Sequence, residues 1–219
     1  MVQVVLHDKM AVAEHTPEDR RCLRSKRLLR AAFAQLIDER GLDGFSIRDL
    51  TQKADLNRGT FYAHYKDKDD LLRCFESEIF DDLQVIGRKV QDTTLQELAL
   101  SVAAGTPLPV SIELFDRLRE HGVLLRALLG PKGDATFQAQ LRDVVCTRIV
   151  TAVLYTKYRE NPSPLVQYYV SYYAAAHLGL IQRWLERDMA ESSEEMARIL
   201  MTVMFLKPGD PIDLTGGAL

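Results

Sequence analysis

Cysteine and tryptophan are scarce in this sequence, and long apolar stretches are absent. Its three cysteines, Cys22, Cys74 and Cys146, are far apart and form no Cys-x-x-Cys pair or Cys/His cluster. This spacing argues against a disulfide framework or a structural zinc site, and we expect no metal and no cofactor. No apolar run reaches the roughly 18 residues that span a bilayer, and the first residues do not resemble a signal peptide. We therefore expect a cytoplasmic protein with no membrane partner.

The signatures of common enzyme classes are missing as well. The chain has no Gly-x-Ser-x-Gly, no Gly-x-Gly-x-x-Gly after a strand, no His-Glu-x-x-His and no phosphate-binding loop. The histidines His15, His64, His121 and His177 are too scattered to suggest a metal site. We predict that the protein is not an enzyme.

The sequence also lacks the alternating stretches that predict β-strands, and apolar residues recur instead at helical spacing. We predict an all-α fold: an N-terminal three-helix helix-turn-helix domain followed by a larger C-terminal helical domain. The predicted longer helices span 18–40, 67–90, 95–104, 110–128, 135–159, 165–188 and 193–206. The predicted divisions are an arm (1–17), a DNA-binding domain (18–66), an effector-binding and dimerisation domain (67–206) and a loose tail (207–219).

Basic residues are concentrated near the N-terminus, although the whole chain has a net charge of −3. Through Lys68 there are 13 basic and 10 acidic residues, and the remainder has 15 basic and 21 acidic residues. Between Arg20 and Arg30 no acidic residue interrupts the basic run, which includes Arg24 and Lys26. A basic head on an acidic body is typical of a phosphate-binding surface, although a charge run is often only a solvated face.

Three short helices within residues 18–66 have helix-turn-helix spacing, in which the third helix lies in the major groove. Ser46 offers an N-cap for the second helix, and Asn57 offers one for the third helix after a short connection. The segment NRGTFYAHYKDK continues from that cap, and its Phe61 and Tyr65 form the inner apolar face. The alternative is a helical hairpin that does not bind DNA.

The outer side of the third helix carries donors suited to DNA. Arg58 can contact two guanine acceptors with its planar fork, and Thr60 offers a methyl group to thymine and a hydroxyl to phosphate. Gly59 lets the helix N-terminus approach the DNA backbone closely. Tyr62 and His64 suit phosphate oxygens. Together with the basic run between Arg20 and Arg30 and the helix-turn-helix spacing, these donors favour DNA binding over the helical hairpin.

The run FSIRDLTQKADLNRGTFYAHYKDKDDLL closely resembles the DNA-binding signature of the TetR family of bacterial repressors. The likeness covers roughly residues 24–72 and includes Ser-Ile-Arg-Asp-Leu, Ala54, the run Thr-Phe-Tyr-Ala-His-Tyr, and a lysine followed shortly by two leucines. It implies that Ser46 and Arg48 lie against phosphates. Gly59 stands where family members vary, so no operator sequence is implied. The residues predicted to bind DNA are Arg24, Lys26, Ser46, Arg48, Arg58, Gly59, Thr60, Tyr62, His64 and Lys68.

The resemblance also implies a divergent ligand-binding body and a homodimer whose last two helices form a four-helix bundle with their partners. The predicted helix 165–188 is apolar nearly all round and 193–206 carries an apolar stripe, which supports an isologous interface. An intramolecular core would produce the same pattern and remains the alternative. The predicted interface residues are Leu178, Ile181, Leu185, Met196, Ile199, Leu200 and Val203.

A ligand pocket is harder to identify from the sequence. Aromatic side chains crowd 165–188, and an apolar cavity with a few polar groups is the usual small-ligand site. Aromatic stripes and lone histidines belong to the core more often, and that alternative stays open. The residues predicted to contact ligand are Phe115, His121, Phe137, Tyr169, Tyr172, Tyr173 and His177.

The sequence thus predicts a ligand-responsive transcriptional regulator, a repressor that binds a palindromic operator as a dimer and is released by a small effector. The expected partners are double-stranded operator DNA, a second copy of the chain and an unidentified, largely apolar effector. The alternative is a TetR-like coactivator or protein-interaction module that does not bind DNA directly. Such a module has no need to keep the arm and the DNA-facing donors together, and this chain has them all.

Overall fold

The computed structural model describes residues 17–145 and 163–205, and every regular element in these ranges is a helix. Outside the described residues lie positions 1–16 of the predicted arm (1–17), the part of the predicted helix 135–159 beyond residue 145, and the predicted tail (207–219). Pro17, the last residue of the predicted arm, instead begins the first helix. The helices are α1 (Pro17–Arg40), α2 (Ile47–Lys53), α3 (Arg58–Tyr62), α4 (Lys68–Asp92), α5 (Leu95–Ala104), α6 (Pro109–Glu120), α7 (Gly122–Leu129), α8 (Ala135–Val144), α9 (Pro164–Glu186) and α10 (Ser193–Phe205).

Side-chain caps determine where most of these helices begin. Asp67 accepts from the backbone N–H of Asp70 at the start of α4, and Thr94 forms a capping box with Glu97 at the start of α5. Each cap satisfies backbone donors that the first helical turn leaves without a partner. Because such residues are visible in the sequence, the predicted boundaries at these helices agree with the structure to within two residues.

The first helices pack around a chain of aromatic rings. Phe33 of α1 meets Phe45 edge-on with ring centres 5.5 Å apart and meets Phe75 of α4 at 5.8 Å. Tyr65 contacts both Phe61 of α3, at 5.7 Å, and Phe75, at 6.2 Å. These rings are buried. Because their packing fixes α3 against α1 and α4, it determines which face of α3 stays outside.

The remaining helices enclose a second group of buried side chains. α6 packs against α4 and α10, while α7 packs against α1, α8 and α9. Phe115 of α6 meets the indole of Trp184 of α9 edge-on at 5.3 Å, and the Trp184 indole N–H donates to the backbone oxygen of Glu191 at 3.0 Å. α7 therefore lies between α1 and α9.

The predicted single helix at 110–128 was wrong, since the structure has two helices there. α6 ends at Glu120, His121 has φ −96° and ψ 1°, and α7 begins at Gly122. Glycine weakens a helix interior, and a Cβ at Gly122 would clash with the sulfur of Met189. The chain bends here because the His121 side chain is held by residues of α1 and α4, which periodicity does not reveal.

Within the described ranges, no single helix is both long and apolar enough to cross a membrane. Only Gln96–Ala104 and Pro109–Glu120 meet the length and composition requirement together, and they are bent by 81° relative to each other.

Candidate nucleic-acid interface

The start of α2 is built by Ser46 and Asp49. The Ser46 hydroxyl accepts from the Asp49 N–H at 3.3 Å, and the Asp49 carboxylate accepts from the Ser46 N–H at 2.8 Å. The Ser46 hydroxyl also donates to that carboxylate at 2.6 Å. The two hydrogen bonds that the Asp49 carboxylate accepts lower its pKa, and the bond from the Ser46 hydroxyl has the larger effect. The predicted cap is present, and Ser46 is exposed where α2 begins.

A tight turn joins α2 to α3. Asp55 has φ 53°, a left-handed conformation that aspartate tolerates better than most residues, and the Leu56 N–H donates to Thr51 oxygen at 2.9 Å. The Asn57 side chain then accepts from the N–H of Thr60 at 2.7 Å and from its hydroxyl at 3.1 Å. The turn and the cap fix the direction in which α3 leaves α2, which is the geometry of a helix-turn-helix.

The inner face of α3 is anchored as predicted. Phe61 is fully buried and Tyr65, just after the helix, is nearly so. Burial raises the pKa of Tyr65 to about 12, so its hydroxyl is neutral in the folded protein. α3 ends at Tyr62, and beyond it the Tyr65 N–H still donates to the Phe61 oxygen at 2.9 Å. These anchors turn the opposite face of α3 toward solvent.

That outer face presents Arg58 and Tyr62, both exposed. The Arg58 guanidinium lies 5.9 Å from the centre of the Tyr62 ring and 3.4 Å from its hydroxyl. Thr60 is half-buried, and its hydroxyl donates to the side chain of Asn57, the N-cap of α3. A Cβ at Gly59 would lie 3.1 Å from Asn57 Oδ1, so glycine leaves the cap uncrowded. The face has donors where a DNA-reading helix needs them.

His64 is half-buried beside α1, where its Nδ1 lies 3.9 Å from the sulfur of Cys22. On α1, Arg24 is exposed and Lys26 is half-buried, and Arg48 is exposed in the first turn of α2. All four side chains come from the segments that surround α3. Their contacts with phosphate remain predictions.

Lys68 has a different environment from the one predicted. Its ammonium donates to the backbone oxygens of Leu42 and Phe45, at 2.7 and 3.3 Å, and lies 4.8 Å from the centre of the Phe45 ring. Lys68 therefore ties the loop before α2 to the first turn of α4. Its role in the fold is to position α2, and a direct contact with DNA remains a prediction.

The residues predicted to contact ligand are dispersed. Phe115 and Phe137 are fully buried and pack on other rings, while His121 uses both ring nitrogens within the protein. His177 is buried, with Nδ1 2.5 Å from the oxygen of Tyr173, and burial lowers the pKa of its imidazole. The ring contacts within the predicted set join Tyr169, Tyr172 and His177 to Tyr173, and the contact of these residues with a ligand remains a prediction. The remaining three tyrosines lie along α9.

The predicted dimer residues also differ in environment. Ile181, Leu185 and Met196 are buried in the core of their own chain, so the expectation that they form a free surface is corrected. Leu178, Ile199 and Leu200 are half-buried against that core, and Val203 is exposed. Periodicity failed here because a helix that is apolar nearly all round does not show which side its own chain covers.

The start of α9 carries exposed apolar side chains that sequence reasoning did not assign to dimerisation. Leu165 and Tyr168 are each 77% exposed, Tyr172 is 70% exposed and Tyr169 is 43% exposed. Leu165, Tyr168 and Tyr172 recur at helical spacing, which is a usable signal, but the sequence places Tyr169 and Tyr172 in a predicted pocket and Leu165 and Tyr168 in no site. We call these four residues the α9 strip.

The fold and this geometry define a helix-turn-helix DNA-binding protein with a helical body. No group of His, Cys, Asp and Glu residues in the described ranges could hold a metal ion. The family model "Bacterial regulatory proteins, tetR family" matches residues 28–73, and "Transcriptional regulator C-terminal region" matches residues 105–206. The two matches cover more than half of the chain. The chain belongs to the TetR family of DNA-binding transcriptional regulators and is not an enzyme.

Known relatives agree with this assignment. YxbF of Bacillus subtilis (strain 168), an HTH-type transcriptional regulator, is 33% identical over 101 residues. The match covers 42% of this chain and 26% of YxbF, so the chain spans about a quarter of that relative's length.

Several solved structures share the fold. A TetR regulator from Streptococcus agalactiae 2603V has a TM-score of 0.50 and 20% identity over 85% of this chain and 96% of its own. PfmR of Thermus thermophilus has a TM-score of 0.54 and 18% identity over 81% and 96%. FadR of Bacillus subtilis, solved with stearoyl-CoA, has a TM-score of 0.50 and 14% identity over 81% and 96%.

Proposed function

We propose that this regulator is a ligand-responsive repressor that binds a palindromic operator as a homodimer and is released by a small effector. Residues 18–66 would bind DNA, and residues 67–206 would bind the effector and form the dimer. The observation that carries the proposal is the outer face of α3, with exposed Arg58 and Tyr62 above a fully buried Phe61. A helix anchored on one side, with donors on the other, can enter the major groove without rearrangement.

The DNA-facing set extends beyond α3. Arg48 opens α2 and Arg24 projects from α1, so positive charge flanks the reading helix on the elements beside it. Contacts of this kind position a protein on the phosphate backbone, while base contacts from α3 specify the sequence. Arg58 is the residue we assign to guanine, because its fork can donate to two acceptors on one base.

The α9 strip supports a homodimer. Its four large apolar side chains are exposed, and exposed apolar surface of this extent on one helix usually marks an interface. A Cβ at Gly179, further along α9, would meet no atom within 4 Å, so a second helix has room to approach closely there. A second copy that packs α9 against α9 would cover both strips symmetrically. In such a dimer, two copies of α3 would lie roughly 34–36 Å apart.

The effector is proposed to bind in the body. A groove of about 700 Å³ lies between the end of α4, α5 and the start of α6. Its wall is mainly apolar, with Leu100 and Pro107 among the lining residues, and Lys89 and Glu113 form an ion pair at 2.6 Å on one side. This volume suits a drug-sized ligand. FadR was solved with stearoyl-CoA, so this fold holds an acyl ligand in that protein.

Release requires the effector to bind two states of the dimer unequally, since a ligand with equal affinity for both shifts nothing. The effector would favour a state in which the two reading helices no longer match one turn of DNA. Filling the groove with Ala104→Trp should then weaken the effector response without weakening operator binding. An unchanged response would move the effector site to His177 and the aromatic residues beside it.

The decisive experiment is salt-dependent binding of the purified protein to DNA from just upstream of its own gene, with a random duplex as control. Specific binding with a steep salt slope supports the proposal, since each neutralised phosphate releases counterions. Equal, weak binding to both duplexes would be followed by selection from a randomised duplex library. If that selection also fails to enrich a paired half-site, the proposed function is wrong and the coactivator alternative gains support.

A further inference from the structure

α1 belongs to the DNA-binding head, yet one of its most extensive contacts is with α7 of the body. Polar contacts, which we call ties, join α1 to the body at two places. They involve Arg30 near the middle of α1 and the carbonyl oxygens at its C-terminus. Phe33 of α1 is linked to Phe61 of α3 through the rings of Phe75 and Tyr65, so a residue that fixes α1 on the body also acts on the direction of α3.

Arg30 is the first tie. Its guanidinium donates to His121 Nδ1 at 3.1 Å, pairs with the Glu78 carboxylate and lies 4.8 Å from the centre of the Phe75 ring. Glu78 and Phe75 belong to α4, whereas His121 is the residue between α6 and α7. One half-buried side chain on α1 thus contacts two separate parts of the molecule.

His121 is held in a single orientation. A guanidinium has only donors, so Nδ1 of His121 must accept the bond from Arg30. Nε2 then carries the proton and donates to the Asp82 carboxylate at 2.8 Å. Asp82 also faces the guanidinium of Arg117 at 3.8 Å. The imidazole therefore bridges α1 and α4 at the point where the body chain bends.

Lys132 supplies the second tie, from the loop between α7 and α8. Its ammonium donates to the backbone oxygens of Asp38 and Glu39, at 3.0 and 2.9 Å. The last carbonyls of a helix have no partner within it, so a cation from the body caps α1. Arg126 of α7 adds a longer ion pair to Asp38 at 4.0 Å.

We propose that Arg30, His121 and Lys132 are positioning residues that set the orientation of the DNA-binding head on the body. They touch no DNA themselves. They act through α1, and in the proposed dimer they fix the separation of the two reading helices. A movement of α6 or α7 shifts the bend at His121 and reaches α3 through Arg30. This inference rests on the proposed dimeric DNA binding and adds to it a coupling route through α1.

The test is selection of operators from a randomised duplex library, followed by counting the base pairs between half-sites. Wild-type protein should enrich one spacing sharply. His121→Leu keeps the volume but removes both hydrogen bonds, and its preference for that spacing over its neighbours should fall by about fivefold or more. His121→Gln, whose amide oxygen can accept from Arg30 and whose NH2 group can donate to Asp82, should restore much of the preference. A merely structural role would change the unfolding temperature but not the spacing.

Lys132→Gln provides an independent variant, since Lys132 is exposed and its replacement leaves the core intact even if His121→Leu unfolds. Like His121→Leu, it should weaken the preference for one half-site spacing over its neighbours. Arg187→Gln is the matched control, because it breaks the Arg187–Glu191 pair between the end of α9 and the loop before α10, away from both α1 and the proposed effector groove. Its spacing should equal that of the wild type.

The outcomes are distinguishable. If the wild type enriches no paired half-sites, the proposed function fails. If it enriches one spacing, and His121→Leu and Lys132→Gln enrich the same spacing as sharply, the positioning role is overturned. Equal broadening by Arg187→Gln would also overturn it, since the effect would then not belong to the junction with α1.

Discussion

Arg58 contributes little to the fold, and this makes it informative about DNA binding. Its guanidinium contacts only the exposed face of Tyr62 among the interactions described above, and solvent screens contacts of this kind. Its loss should therefore leave the folded protein intact. An effect of substitution on operator affinity then reports on recognition and not on folding.

We expect Arg58→Ala to weaken specific binding by about 1–3 kcal/mol and to relax the preference at one operator position. Arg58→Lys should keep the charge but lose the two-pronged contact, so specificity should fall more than non-specific affinity. Fluorescence anisotropy against operators substituted at each position would measure both. Arg88→Ala, an exposed arginine on α4, is the control. An unchanged footprint for Arg58→Ala would count against the assignment of α3.

His177 is a second residue whose environment has a measurable consequence. Burial lowers the pKa of its imidazole below the ordinary value of about 6.5, although its bond to the Tyr173 carbonyl acts in the opposite direction. The unfolded chain then binds a proton that the folded chain does not. Its contribution to stability is fully present above about pH 6.5 and is lost as the pH falls through the lowered value.

We expect His177→Leu to flatten the fall in unfolding free energy that the wild type shows as the pH is lowered from 7.5 to 5. Urea unfolding at each pH would measure it. A comparison of wild type and variant at pH 8 gives the packing effect of the substitution alone, since histidine, like leucine, is then uncharged. A parallel shift of the whole curve, with no change in slope, would contradict the prediction.

At the scale of the element, α2 depends on its N-cap. The helix has only seven residues, and short helices rely on caps and tertiary packing because few internal hydrogen bonds form. Ser46 satisfies the Asp49 N–H there, and Asp49 returns a bond to the Ser46 N–H. The same serine is also predicted to contact phosphate, so its two roles need to be separated.

Ser46→Ala should lower the unfolding free energy by about 1 kcal/mol, whereas Ser46→Thr should be nearly neutral because it keeps the hydroxyl. Thermal unfolding measures this part. If Ser46 also binds phosphate, Ser46→Ala should weaken operator binding under conditions where it remains fully folded. No stability difference between the two variants would show that the cap is not required.

Sequence reasoning succeeded for elements whose ends are set locally. Ser46, Asn57 and Asp67 each cap a helix through the residue three positions further on, and such signals are present in the sequence itself. It failed at His121, because the bend there depends on Arg30 and Asp82, which are 91 and 39 residues away in sequence. The bonds of Lys68 to the loop before α2 were not predicted for the same reason, since its carbonyl partners lie 26 and 23 residues earlier.

At the scale of the whole molecule, the α9 strip is the surface that we propose for contact between two copies. The sequence predicted an interface on the last two helices, but it favoured residues such as Ile181 and Leu185 that the chain buries itself. Composition reveals how apolar a helix is, whereas the side covered by its own chain is determined only when all helices have packed. The strip faces outward because α7 and α8 occupy other sides of α9.

We expect Tyr172→Glu to dissociate the dimer, since a two-fold interface would bring two carboxylates into an apolar contact. The dimer dissociation constant should rise by roughly 30-fold, about 2 kcal/mol, as for a central interface residue. Analytical ultracentrifugation measures it. Leu100→Glu, which charges a similarly exposed apolar side chain on α5, is the control and should leave the dimer intact. Equal dissociation constants for wild type and Tyr172→Glu would exclude this face.

The position of Trp184 gives the body its own optical probe. It is the sole tryptophan in the sequence, it is nearly fully buried against Phe115, and the Arg119 guanidinium lies 5.0 Å from its ring centre. Its fluorescence emission should therefore be blue-shifted, and it should report on the packing of α6 and α9 alone. Effector titrations can be followed by this emission without a label, while operator DNA changes it only if the head and body communicate.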